Sequence, residues 1–161
     1  LLPGEVFVHR NVGNIVATND RNLSAVPEFS IDRLNICDIV VAAITGGGIR
    51  ALDEDHSDDR QIPIWLINAH KAVTRVERKP GASIPQIDPE ACHRLIVDEN
   101  VRLQLEHLQD YPFVAAAMKT GRLRLHGLVY EIGCGEIQIT SGSQNLNVSV
   151  RPLCIVPSYE Q

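Results

Sequence analysis

The residues best equipped for chemistry in this 161-residue chain fall into four groups. The first is Gly46-Gly47-Gly48, which follows a β-branched run at 36–44 and leads into Ile49-Arg50-Ala51-Leu52. A glycine turn between a strand and a helix can aim free backbone N–H groups at an anion. It is not a P-loop, because no Gly-Lys-Ser/Thr follows it. The second group is Asp53, Glu54, Asp55, His56, Asp58 and Asp59. It lacks the turn glycine and closing Glu of a calcium loop and reads as a solvated acidic loop. The third is the cysteines and histidines. Cys37, Cys92, Cys134 and Cys154 lie far apart with no CxxC pair, which is neither a disulfide framework nor a zinc-finger pattern. Neighbouring Cys92 and His93 on a predicted helix diverge by about 100° and make a poor shared metal site. Cys37 and Cys134 read as small core or turn residues rather than nucleophiles. The fourth group is Arg10, Asn11 and Asn14, where a guanidinium could hold a carboxylate bidentately.

Composition narrows the function classes. Hydrophobic residues make up 44% and charged residues 22%, an ordinary globular balance for one domain spanning 1–161. Aromatics are only 4% and the net charge is −5, which argues against base stacking and phosphate-backbone binding, hence no nucleic acid. No apolar run reaches the roughly 18–20 residues of a membrane span. The scattered cysteines suit a reducing, intracellular and cytoplasmic setting. The chain opens at Leu1 with neither Met nor a basic, apolar leader, so a trimmed N-terminus is expected and targeting is not legible.

The elements that must position these groups alternate. Residues 5–8 read as a short strand before the turn-rich Arg10-Asn11-Val12-Gly13-Asn14. Ser24 is a candidate N-cap, with Pro27 in the first turn of its helix. The run 36–44 predicts a strand buried on both faces, and strand, glycine turn, helix is the α/β signature. Residues 63–76 carry helical spacing through Trp65, Leu66, Ala69, Ala72, Val73 and Val76. Asp88-Pro89-Glu90 caps a long amphipathic helix with Leu95, Ile96, Val101, Leu105 and Leu108 on its apolar side. Pro112 opens a shorter helix that Gly121 ends in the left-handed position. Residues 123–132 and 136–140 form a hairpin across Gly133-Cys134-Gly135. The segment 141–161 is a C-terminal extension with strand character at 148–156.

Taken in order, several of these stretches resemble the β-class carbonic anhydrases. The segment Gly4-Glu5-Val6-Phe7-Val8-His9-Arg10-Asn11-Val12-Gly13-Asn14 is similar to the family's G-[DE]-x-F-V-x-R-N-x-[AG]-N. Similarity continues through Leu23-Ser24, Asp38-Ile39-Val40-Val41, Gly47-Gly48-Ile49-Arg50-Ala51, Glu99-Asn100-Val101 and His126-Gly127-Leu128-Val129-Tyr130-Glu131-Ile132. The resemblance covers residue 2 to about residue 140. It implies an α/β fold with a mostly parallel central sheet flanked by helices, an antiparallel hairpin at one edge, and a homodimer or higher homo-oligomer. By resemblance, His126 packs or hydrogen-bonds rather than catalyses, and Arg10, Asn11 and Asn14 shape the floor beside a metal site.

The family reaction is attack of zinc-bound hydroxide on carbon dioxide, made possible at neutral pH because zinc lowers the pKa of bound water to near 7. Two cysteines and one histidine hold the metal, in C-x-D-S-R and G-H-x-x-C-G-G motifs. Aligning Gly47-Gly48 places Ala43 at the histidine and Gly46 at the second cysteine, while C-x-D-S-R would fall before Leu1. A methyl group and a hydrogen cannot coordinate zinc. If the C-terminal Leu153-Cys154-Ile155-Val156-Pro157-Ser158-Tyr159-Glu160-Gln161 filled the slot of that first motif, Pro157, Tyr159 and Gln161 would occupy its Cys, Asp and Arg positions, restoring no ligand. The expectation is therefore a family member without bound zinc or another cofactor, inactive in CO2 hydration. It would act as a structural or regulatory subunit, pairing with itself or an active homologue, or bind a small anion around Arg10, Asn11, Ala43, Gly46, Gly47 and Gly48. Two alternatives stay open: a metal-free lyase or hydrolase reusing the vacated pocket, and a carbonic anhydrase with a rearranged zinc site. The sequence identifies no catalytic residue for either.

Overall fold

The computed structural model of the chain describes residues 4–53, 58–79 and 88–140. The acidic cluster from Glu54 to His56, the Asp53 side chain and the extension at 141–161 lie outside the described residues.

Helix α1, Arg21–Asp32, starts earlier than Ser24 suggests. Asp20 is the N-cap, its Oδ1 accepting from the N–H groups of Asn22 at 2.8 Å and Leu23 at 3.1 Å. Pro27 consequently lies inside the helix and is buried. Strand β1, Asp38–Ile44, follows. The helical stretch predicted at 63–76 is two helices, α2 at Ile62–Leu66 and α3 at His70–Glu77. Asn68 separates them: its amide donates to the Trp65 carbonyl at 3.1 Å, a side-chain bond that competes with helix continuation. Helix α4, Pro89–Gln109, begins where Asp88 accepts from the Ala91 N–H. Helix α5, Pro112–Lys119, ends at Gly121, whose φ of 73° is the left-handed cap expected of it. Strands β2, Arg124–Glu131, and β3, Glu136–Thr140, form the hairpin.

Among the described residues the sheet has three strands in the order β1-β2-β3. The β1–β2 pair is parallel, with Asp38 opposite Arg124 and Ile44 opposite Tyr130, and β2–β3 is antiparallel. The fold is α/β as expected, a mixed sheet flanked by helices with the antiparallel hairpin at its edge. Residues 5–8, predicted as a strand, belong to no strand, and Val6, Phe7 and Val8 are exposed.

Among the described residues only one face of the sheet is covered. Val41, Ala43, Gly127, Val129 and Thr140 are buried on the face that α4 covers. Gly127 permits this approach, since a Cβ there would sit 2.7 Å from Val101 Cγ1 and 3.0 Å from Leu105 Cδ1. The opposite face carries Val40 and Ile44 from β1, Tyr130 from β2, and Ile137 and Ile139 from β3, all exposed. The register places Ile44, Tyr130 and Ile137 in one row across the three strands. The β-branched run is therefore covered on one face among the described residues, not on two. Leu95, expected on the apolar side of α4, is 39% exposed, whereas Ile96, Val97, Val101 and Leu105 are buried.

Candidate functional site

The loop at 11–17 and the glycine turn after β1 meet at one end of the sheet. Asn11 shapes its own loop: Nδ2 donates to the Ile15 carbonyl at 2.9 Å, and Oδ1 accepts from the Ile15 N–H at 2.8 Å. Gly13 has φ of 74° and Asn14 φ of 46°, so the short 3-10 turn at Val12–Asn14 uses two left-handed residues. The loop is clamped from outside by Trp65, whose indole N–H donates to the Val12 carbonyl at 2.8 Å.

From the core side it is held by three polar residues of α4. Asn100 Nδ2 donates to the Gly13 carbonyl, Gln104 Oε1 accepts from the Val16 N–H at 2.8 Å, and Gln104 Nε2 donates to Asn100 Oδ1 at 2.7 Å. His107 Nδ1 lies 3.0 Å from the Val16 carbonyl, an acceptor only, so that nitrogen carries the proton in this contact. Asn100 and Gln104 are completely buried. Sequence reasoning missed this trio. Its signal was present: polar residues at 100 and 104 interrupt the apolar stripe of α4, and a polar residue on a buried stripe requires a partner.

The glycine turn packs tightly against the same loop. A Cβ on Gly48 would meet Val12 Cγ1 at 2.6 Å and the Gly13 nitrogen at 2.8 Å. Gly47 donates its N–H to the Ile44 carbonyl at 3.1 Å, so that donor is spent within the turn. Gly46 has φ of 74°, and a Cβ there would meet nothing within 4 Å. The helix expected after the turn is a six-residue 3-10 segment, Gly48–Asp53. Thr45 is buried, and its hydroxyl donates to Glu131 Oε1 at 2.8 Å and accepts from the Ile132 N–H at 3.2 Å.

The predicted site residues are therefore placed as follows. Asn11, Gly47 and Gly48 come together around Val12 and Gly13. Ala43 is 3% exposed and belongs to the apolar core. Arg10 is exposed. His126 sits on β2 with Nε2 2.7 Å from Asp38 Oδ1, and Arg124 gives Asp38 two further bonds at 2.8 Å. The Arg124 guanidinium, and after it the His126 ring, hold the Asp38 carboxyl below the ordinary carboxylate range. Cys37 and Cys134 are both exposed, Cys134 in the hairpin turn and Cys37 just before β1, so of the core and turn alternatives neither occupies the core. His93 is buried while Cys92 is half-buried.

A carbonic anhydrase family model matches residues 1–137. In the comparison with solved structures, the chain superposes on a tetrameric β-carbonic anhydrase from Sordaria macrospora with a TM-score of 0.77 at 28% identity, covering 86% of this chain and 70% of that one. The chain belongs to the β-class carbonic anhydrase family. A carbonic anhydrase of Pseudomonas aeruginosa is 34% identical over 154 residues, which are 92% of this chain and 68% of the relative. One from Candida albicans is 31% identical over 135 residues, 83% of this chain and 47% of the relative. The fold likeness extends to a Coccomyxa β-carbonic anhydrase solved with acetazolamide, at a TM-score of 0.71 and 29% identity over 85% of this chain and 61% of that one.

Zinc is the metal this β-carbonic anhydrase family implies, and the residues at the glycine turn do not fit it. Ala43 and Gly46 offer no donor atom, and the Thr45 hydroxyl is engaged by Glu131 and Ile132. Among the described residues no three of His, Cys, Asp and Glu form a group able to hold a metal ion. No helix among them is long and apolar enough to cross a membrane.

Proposed function

We propose that this chain is a β-carbonic anhydrase family member that lacks the zinc-hydroxide centre, does not hydrate CO2, and serves as a structural or regulatory subunit. One observation carries the reading: the family's His and second Cys positions fall on Ala43 and Gly46, which have no atom to offer a metal. Zinc activation of water requires protein donors that fix an open coordination position, and a methyl group and a hydrogen supply none.

Between a subunit role and small-anion binding, the geometry favours the subunit. Both polar atoms of the Asn11 side chain and the Gly47 N–H are used within their own turns. The apolar sheet face bearing Val40, Ile44, Tyr130 and Ile137 supports association with a second copy of this chain or with a homologue.

The test is elemental analysis for zinc with a stopped-flow CO2 hydration assay on the same sample. Less than about 0.1 zinc per chain and no activity above buffer is the expected result. Near one zinc per chain with activity overturns the proposal. Sedimentation velocity on that sample reads the subunit role, and a monomer at all concentrations removes it.

A further inference from the structure

Strand β1 has the sequence of an interior strand, yet among the described residues it is an edge. In the order β1-β2-β3 it has β2 on one side and no strand on the other. Two backbone bonds fix which way its peptide groups point. The Arg124 N–H donates to the Cys37 carbonyl at 2.9 Å, and the Thr45 N–H donates to the Tyr130 carbonyl at 3.0 Å. In a parallel pair alternate residues bond the same neighbour, so Ile39, Val41 and Ala43 bond β2. Asp38, Val40, Ala42 and Ile44 therefore aim their N–H and C=O groups away from β2. On that side, among the described residues, the only backbone partner is the Gly47 N–H, 3.1 Å from the Ile44 carbonyl.

Natural edge strands are short, or carry lysine, proline or a bulge that discourages a further strand. Asp-Ile-Val-Val-Ala-Ala-Ile at 38–44 carries none of these, and its register with β2 is continuous. Its one charge, Asp38, lies at the end and is bound by Arg124 and His126. Val40 is 51% exposed, and Ala42 and Ile44 are exposed as well. The edge is thus a seven-residue template for one more strand.

The chain itself carries an occupant within reach. β3 runs antiparallel to β2 and ends at Thr140, opposite Gly127 and hence level with Val41. It is heading toward the end of the sheet where β1 begins. The slot beyond β1 lies three strand spacings from β3, about 14 Å. Residues 141–147, Ser-Gly-Ser-Gln-Asn-Leu-Asn, have linker composition and can span up to about 23–25 Å. They lead to 148–156, where Val148 and Val150 alternate with polar residues and Leu153-Cys154-Ile155-Val156 follow. A short tether gives an effective concentration in the millimolar range, which favours this segment over a strand arriving from solution.

We propose that residues 148–156 dock on the free edge of β1 as a further strand, running parallel to it. An edge strand accepts proline where the proline nitrogen faces away from the ladder, and Pro152 so placed turns the odd-numbered residues toward β1. Leu153 and Ile155 then exchange backbone bonds with the even-numbered residues of β1. The docked strand sits at the edge of the sheet and not over the face bearing Tyr130 and Ile137. The proposal therefore stands apart from both the zinc reading and the subunit reading.

The test is residue-resolved hydrogen exchange by NMR on the full chain and on Ile155→Pro, each at low and high protein concentration. The N–H groups of Ile39, Val41 and Ala43 face β2 and report the fold in both chains. In the parent chain the N–H groups of Val40, Ala42 and Ile44 should exchange at least about tenfold more slowly than in Ile155→Pro, independently of concentration. Fast exchange at Val40 and Ala42 in the parent chain overturns the proposal. So does slow exchange that survives Ile155→Pro, or protection confined to high concentration, which would assign the edge to a second copy. A nuclear Overhauser spectrum of the parent chain reads the same pairing without any variant. Backbone contacts between 153–156 and 40–44 are expected there, and their absence would sink the idea even if Ile155→Pro failed to fold.

Discussion

Asn100, completely buried on α4, donates its side-chain amide to the backbone carbonyl of Gly13 at 3.1 Å, across 87 residues of sequence. That bond and the two made by Gln104 are how a helix on the covered side of the sheet fixes the loop carrying Asn11 and Asn14. Replacing Gln104 by Leu would strand the Val16 N–H and Asn100 Oδ1 together. We expect a loss of about 2–6 kcal/mol, since two buried polar groups would be left unpaired at roughly 1–3 kcal/mol each. Asn100→Ala should cost less, and the double variant less than the sum, because the two residues share a bond. Urea unfolding monitored by circular dichroism reads all three.

The two glycines at the turn should respond oppositely in mechanism and unequally in size. Gly48→Ala drives a methyl into Val12 and the Gly13 backbone, so we expect a loss of about 1–3 kcal/mol from overpacking. Gly46→Ala meets open space, and its cost is only that of a left-handed non-glycine residue, about 1 kcal/mol. Thermal melts of the pair rank them directly, and a larger shift for Gly46→Ala would contradict the packing described here.

Trp65 is the single tryptophan, and its indole N–H is bound to the Val12 carbonyl. Trp65→Phe should lose about 0.5–1.5 kcal/mol for the missing hydrogen bond. Its fluorescence is also a reporter of the loop. Gln104→Leu should shift Trp65 emission to the red before the main unfolding transition, as the freed loop admits water.

Acid should destabilise the fold through carboxylates held by arginines, of which Glu106 and Asp38 are two. Arg75 holds the Glu106 carboxyl below its ordinary value of 4.5, and Arg124 followed by His126 holds Asp38 below 3.8. A carboxylate whose pKa is lower in the folded state adds stability above its unfolded pKa and loses it as pH falls through the folded value. The urea midpoint should therefore be flat above about pH 5.5 and decline below about pH 4.5. Glu106→Gln should flatten part of the decline. Both members of that pair are partly exposed, so the change at neutral pH should stay within about 0.2–1 kcal/mol.

The parts of the fold legible in the sequence are those with local causes. Asp88-Pro89 announced the start of α4, Gly121 the end of α5, and Gly133-Cys134-Gly135 the hairpin between β2 and β3. The family followed from motif order, and the family match at 1–137 agrees with it. What was not legible depends on tertiary partners. Residues 5–8 have strand composition but no strand beside them among the described residues. Asp20 was hidden as an N-cap because Asn19, Arg21 and Asn22 around it are equally polar. At the candidate site, the close approach of Gly48 to Val12 and the roles of Asn100 and Gln104 are contacts between distant segments. No spacing rule within one segment encodes them.

The sheet face that no described residue covers has a calorimetric consequence. Apolar surface that stays in water when the chain folds contributes nothing to the heat capacity of unfolding. Val40, Ile44, Tyr130, Ile137 and Ile139 should hold a lone chain below the usual 12–15 cal/mol/K per residue, with a correspondingly flat stability curve. If that face is covered by association, the missing heat capacity returns, and the melting temperature rises with protein concentration. A dilution series in the calorimeter would thus measure how much of the folded state's stability is held in common between chains.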